Sequence, residues 1–298
     1  MASRAIVDVA SRMPRAGDHR VQPACRAGPG WNPEYRVFIS RLFCFAAVVP
    51  APQPHTVLTP MSTSVPSVTP RIIPARRDRI FHTGMAIACL ITAFVGFGPT
   101  YFYKPVYQSP PLSPLLHVHG LVFTTWLVLL VVQSGLVRAD RVAWHKRLGI
   151  AGAALAAGMV ILGLMAAVHA ARRGVAADGM TPLAFMIFPF GQTLLFGAFV
   201  GLGLWKRRQP ELHRRFILLG TICLMTPAIS RIVDHRAVLA SILTLAFVVV
   251  AMIHDWKSRR RVHPIYIYGG IILFAAGPLR AAIANTSAWQ SFARLITG

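Results

Sequence analysis

The sequence predicts an all-α protein, a polytopic transmembrane bundle of about seven helices, and three observations predict it. Hydrophobic residues make up 55% of the 298-residue chain and mean hydropathy is +0.55, while only 13% of residues are charged, roughly half the usual quarter. Uncharged runs recur between short basic loops, and several reach the roughly 20 residues needed to cross about 30 Å of hydrocarbon. Within those runs apolar residues are continuous rather than alternating, which argues against a β-barrel. Disorder needs low hydrophobicity with high charge and is excluded for most of the chain. The formal net charge is +22, but it lies between apolar runs rather than on a polar surface, so no nucleic-acid partner is expected. Cys25, Cys44, Cys89 and Cys223 are scattered without a CxxC pair, which points to neither a disulfide scaffold nor a thiolate zinc site.

In chain order, residues 1–60 are foreign in composition to the rest, rich in Arg, Ala and Pro. Residues 1–70 are expected to be a disordered or misassigned extension, with translation starting at Met61. A single transmembrane domain follows over 80–298. Trimming the uncharged runs at loop residues places spans near 83–103, 114–136, 148–169, 182–204, 215–234, 237–255 and 264–285. Residues 286–298, with Trp289 and Phe292, read as an amphipathic tail at the interface. Basic residues stay cytoplasmic. The loops before span one and after spans two, four and six hold 17 Lys and Arg, against 7 in the alternate loops and tail. The expected topology is N-terminus cytoplasmic and C-terminus periplasmic.

Two stretches resemble one another, Trp144-His145-Lys146-Arg147-Leu148 and Leu212-His213-Arg214-Arg215-Phe216, 68 residues apart. Each opens a span, so spans two–three and four–five read as two parallel copies of one hairpin. His145, Lys146, Arg147, His213, Arg214 and Arg215 are expected to hold anionic lipid headgroups, at about 1 kcal/mol per basic residue near the surface. The histidines on that side are read as headgroup-facing, with His254-Asp255 alone looking ligand-like.

Ionisable groups inside spans are costly and often functional. On the outer side His117, His119, His169, Arg231, Asp234, His235 and Arg280 gather near span ends. The uncharged run of span five, Phe216–Ser230, holds 15 residues, about 22 Å of helix, so Arg231 must lie within the membrane edge. Arg231 and Asp234, three apart, are expected to pair on one helical face, above a kink at Pro227. His119, followed by Gly120, leaves room for a flat group or a neighbouring backbone. Haem b held by two histidines from different helices would draw on His119, His169 and His235. A histidine–carboxylate metal site would use His119, His235 and Asp234. Gln192, near the middle of span four, is expected to bond between helices, and Gly149-Ala153-Ala157 with Gly197-Gly201 should let spans three and four approach closely. No nucleophile elbow, phosphate loop or HExxH motif occurs.

Several ordered motifs carry a resemblance: GFGPTYFY at 96–103, PLSPLLHVHGLVFTTW at 111–126, HKRLG at 145–149, ARRG at 171–174, HRRFILLGTI at 213–222, RVHP at 261–264 and GPLR at 277–280. Over residues 81–298 the chain resembles a family of uncharacterised bacterial multi-pass inner-membrane proteins. The resemblance implies a bacterial inner-membrane location and a start at Met61, and it implies no activity. Three functions stay open on the residues. One is a cofactor-binding protein of respiratory electron transfer or its assembly, with a respiratory complex as partner. The second is a transporter or small-ligand receptor using an outer polar pocket of His117, His119, Arg231, Asp234, Arg280 and Gln192. The third is a ligand-free scaffold.

Overall fold

The computed structural model describes residues 72–298 apart from 109–110 and 178. The expectations for residues 1–70, the start at Met61 included, lie outside the described residues. The described residues are helical and contain no strand. In order they form α1 (Ile72–Phe97), a π-helical turn (Gly98–Phe102), α2 (Lys104–Tyr107), α3 (Pro114–Arg138), α4 (Val142–Arg172), α5 (Pro182–Trp205), α6 (Pro210–Cys223), α7 (Thr226–Ile232), α8 (Ala237–Arg259), α9 (Pro264–Ala284) and α10 (Ser287–Thr297).

Six of these helices are long and apolar enough to cross a membrane, and α6 with α7, bent by 41°, counts as a seventh if the pair is taken as one span. The chain is thus a multi-pass membrane protein by length and composition. Proline in the first turn opens α3, α5, α6 and α9, where its missing N–H costs no helical bond. Thr181, His263 and Thr286 each cap a helix by accepting from a backbone N–H of its first turn, which satisfies one otherwise orphaned donor.

Three span starts differ from the sequence expectation, α6 beginning at Pro210 rather than 215. α1 and α4 begin before residues 83 and 148, carrying Asp78, Arg79 and the Trp144–Arg147 stretch into the helix. Charge marks where hydrocarbon ends, whereas backbone hydrogen bonding runs on past that boundary. The two copies of the basic stretch do occupy equivalent places, each starting two residues after the first residue of its helix. The histidine rings of the copies, His145 and His213, meet edge to face at 6.2 Å.

Helices α3, α4, α5 and α6 pack in sequence, and α1 packs on α3 and α7. The small-residue seam lies on a different face of α4 from the one expected. The buried stripe is Gly152, Ala156, Gly163, Ala167 and Ala171, while Ala157 is exposed. A Cβ on Gly163 would come 2.7 Å from Oγ1 of Thr193, and one on Gly197 2.9 Å from Cγ2 of Val160. Gly201 faces open space. At Gly96 the approach is backbone to backbone: a Cβ there would lie 2.2 Å from the Ala228 carbonyl oxygen, pinning α1 against α7.

Candidate functional site

Polar groups concentrate at two places, and they differ in how their charge is balanced. The first is the end of the bundle where α1, α6 and α9 begin and α8 ends. Arg215 is 0% exposed and Asp255 1%. Arg215 donates from Nη2 to Oδ1 of Asp255 at 2.7 Å and from Nε to Oδ2 at 3.2 Å. Such a two-pronged pair fixes the planar guanidinium in orientation as well as position. Arg215 Nη1 also donates to the Glu211 carboxylate and, at 2.8 Å, to the Glu211 carbonyl. Arg214 bridges Asp78 at 3.0 Å and Glu211 at 2.7 Å, and Arg259 donates to the same two carboxylates. His254 Nε2 lies 2.8 Å from Oδ1 of Asp78, and its ring stacks on Phe81 at 3.9 Å. The His263 backbone N–H completes the set, donating to Asp255 at 3.2 Å.

Three carboxylates thus face three guanidiniums, drawn from α1, α6 and α8, with His263 tying in the start of α9. Buried charges persist when each is paired and hydrogen-bonded, and this cluster meets that condition. Half of the set expected at headgroups instead has protein partners here. Arg214 and Arg215 turn inward onto carboxylates. The Nδ1 of His213 lies 2.8 Å from the Gly203 carbonyl oxygen. In the other copy Lys146 and Arg147 stay exposed, with the Arg147 guanidinium 5.5 Å over the Trp144 ring. His82 and His254 likewise engage Asp78, through its carbonyl and its carboxylate respectively. Asp78 and Glu211 were missed because they lie far from Asp255 in sequence. One signal was available: of the six acids after residue 72, Asp78, Asp140, Glu211 and Asp255 fall on the basic side. The fourth of these, Asp140, pairs with Arg79.

The second place lies toward the opposite end, where span five is broken. Helix α6 stops at Cys223 and α7 begins at Thr226. The amide of Gln192, buried in α5, donates to the Cys223 carbonyl, bonding between helices as expected. Gln192 Oε1 accepts from Nη1 of Arg280 at 2.7 Å. The same Nη1 donates to the Phe188 carbonyl at 2.9 Å, and Nε donates to the Ala276 carbonyl at 2.7 Å. Gly191 makes room for this side chain, since a Cβ there would sit 2.9 Å from Cδ of Arg280. Nearby, Thr244 donates to Thr226 Oγ1 at 3.1 Å. Among the described residues Arg280 has no carboxylate partner.

The rest of the expected outer pocket does not join this seam. Arg231 and Asp234 do not pair. Helix α7 ends at Ile232, and Asp234 and His235 both take left-handed backbone with φ of 51° and 62°, so three-residue helical spacing no longer relates their side chains. Arg231 instead donates to the Pro227 carbonyl at 2.8 Å and lies 4.6 Å over the Phe97 ring. Asp234 and His235 are exposed.

His119 has its Nδ1 buried and its ring stacked on Phe123 at 4.0 Å. The flat group over Gly120 is the Tyr101 ring, whose Cζ would lie 2.5 Å from a Cβ there. Tyr101 also donates to the carbonyl of His117, itself an exposed residue. His169 Nε2 is engaged with Ser113 Oγ at 3.1 Å. Among the described residues no three His, Cys, Asp or Glu side chains converge on a metal position, so His119, His235 and Asp234 do not form the suggested centre. Nothing in this geometry favours haem.

No protein-family model, curated protein or solved structure matches the chain.

Proposed function

We propose that this membrane protein is a transporter or small-ligand receptor whose solute contact is the polar seam at the break in span five. One observation carries the reading: α6 and α7 meet at a 41° bend, and the Cys223 carbonyl beside it is taken by Gln192, which in turn holds Arg280. Non-helical backbone at membrane depth is tolerated where protein buries it or water reaches it, and in membrane transport proteins broken helices mark the binding site. The excess of Lys and Arg in alternate loops supports a cytoplasmic N-terminus. The ordered motifs from GFGPTYFY to GPLR support a bacterial inner membrane, where Lys146 and Arg147 are placed to meet anionic headgroups.

The test is aqueous access. Thr226→Cys in the full chain, in native membranes, is treated with a charged maleimide and the label is located by peptide mass spectrometry. Ile271→Cys on the exposed apolar surface of α9 is the lipid-facing control. The reading expects Thr226→Cys to label at least tenfold more than Ile271→Cys. Equal, negligible labelling at both overturns it in favour of a sealed scaffold.

A further inference from the structure

We infer that Arg280 is an anion-binding residue, taking a carboxylate or phosphate group of the seam's ligand. This deepens the proposed function and rests on it. A guanidinium carries five N–H donors and cannot be neutralised by losing its proton, so a counter-charge beside it lowers the cost of holding it within a bundle. At the other end of this bundle the buried Arg215 and the partly exposed Arg214 and Arg259 each have one, facing Asp78, Glu211 and Asp255. Arg280 has none among the described residues. Its three bonds go to two backbone carbonyls and an amide oxygen, which are partial charges. The C-terminal end of α9, four residues on, contributes about half an elementary charge at most.

Geometry also holds one donor group in reserve. Nε and Nη1 are occupied, and Nη2 has no acceptor among the described residues, yet it is not sealed off by protein. The bonds that occupy Nε and Nη1 fix the plane of the fork, and the Phe188 ring lies beneath it with its centroid 5.9 Å from Cζ. The side chain is therefore oriented in advance, with Nη2 left unspent. That is the arrangement for receiving an anionic oxygen by a charge-assisted hydrogen bond.

Gln192 supplies the sharpest test, because its Oε1 already touches Nη1. Gln192→Glu would place a carboxylate 2.7 Å from the guanidinium and supply internally the charge that a ligand otherwise brings. The full chain and its variants are compared by thermal unfolding in phosphatidylcholine nanodiscs, with inorganic phosphate or acetate titrated against matched sodium chloride. A second arm replaces part of the phosphatidylcholine with phosphatidylglycerol and adds no soluble anion.

The inference expects anion-dependent stabilisation of the native chain in at least one arm. The apparent affinity should fall at least tenfold in Arg280→Gln and in Gln192→Glu, and Arg280→Lys should keep part of it. A response to phosphate or acetate identifies a soluble anion, and a response only to phosphatidylglycerol identifies a headgroup. Either supports the site. It is overturned if neither arm stabilises the native chain, or if Arg280→Gln and Gln192→Glu respond as the native chain does. Should Arg280→Gln fail to fold, Arg280→Lys decides with Gln192→Glu, since the glutamate also loses the amide bond to the Cys223 carbonyl. If Thr226→Cys labels while no anion acts, the seam is aqueous but neutral and only this inference fails. If it does not label, the functional reading beneath it fails first.

Discussion

Replacing Asp255 by asparagine isolates the most buried ion pair in the bundle. The asparagine keeps the carboxylate's shape but removes its charge and turns an NH2 toward donors. Three bonds are affected: two from Arg215, at 2.7 and 3.2 Å, and one from the His263 N–H at 3.2 Å. Removing one partner of a buried pair costs roughly 3–5 kcal/mol, because the other charge is left without compensation. Glu211 still reaches Arg215 Nη1, so the lower end applies, about 3 kcal/mol or a hundredfold in the folded-to-unfolded ratio. Taking both charges away with Arg215→Met and Asp255→Leu removes the desolvation cost as well, and the double variant should fall within about 1 kcal/mol of the native chain. The assay is reversible unfolding in mixed detergent micelles by dodecyl sulfate titration. Arg147→Gln, at the equivalent place in the other copy of the repeat, is the control and should stay within about 0.5 kcal/mol. The reasoning is refuted if Asp255→Asn costs no more than this control, or if the double variant costs the sum of the two single ones.

Gly96→Ala should destabilise the bundle by about 1–3 kcal/mol, because its methyl would meet the Ala228 backbone at 2.2 Å. The same titration reads this, and Gly84→Ala, with nothing within 4 Å, should not lose stability. His263 lies just before α9, and burial first, then Arg215, lower its pKa below the ordinary histidine value of 6.5. Its Nδ1 accepts from the Ile265 N–H at 3.2 Å, a bond that protonation there would break. With the folded-state value depressed, the unfolded chain takes up the proton first. Stability therefore holds above about pH 6.5 and falls as the pH drops below it. Thermal unfolding between pH 7 and pH 5 should show a smaller loss for His263→Asn, which can still cap the helix. An equal loss in both would remove His263 from the pH response.

Some of the site was legible in the residues themselves. Gln192 and Arg280 stood out because a polar group in an apolar run carries a desolvation cost wherever it points, and both fall in the seam. The break near Pro227 followed from its ring and from a span too short to cross unaided. The partner of each group was not legible. Arg231 and Asp234 were paired by helical spacing, and that inference failed where left-handed backbone at Asp234 ended the helix. Arg214 and Arg215 were assigned to lipid because their sequence neighbours are basic, and local charge says nothing about carboxylates on other helices.

Hydropathy alone determined that the chain is a helical membrane bundle of about seven spans, because the cost of exposing backbone polar groups to hydrocarbon is paid segment by segment and can be read segment by segment. Tertiary structure alone decided which charges are neutralised. A carboxylate acts on a guanidinium across a few ångströms of space, and Asp78, Glu211 and Asp255 meet Arg214, Arg215 and Arg259 only after α1, α6 and α8 have packed. The same packing leaves Arg280 with carbonyls and an amide for company.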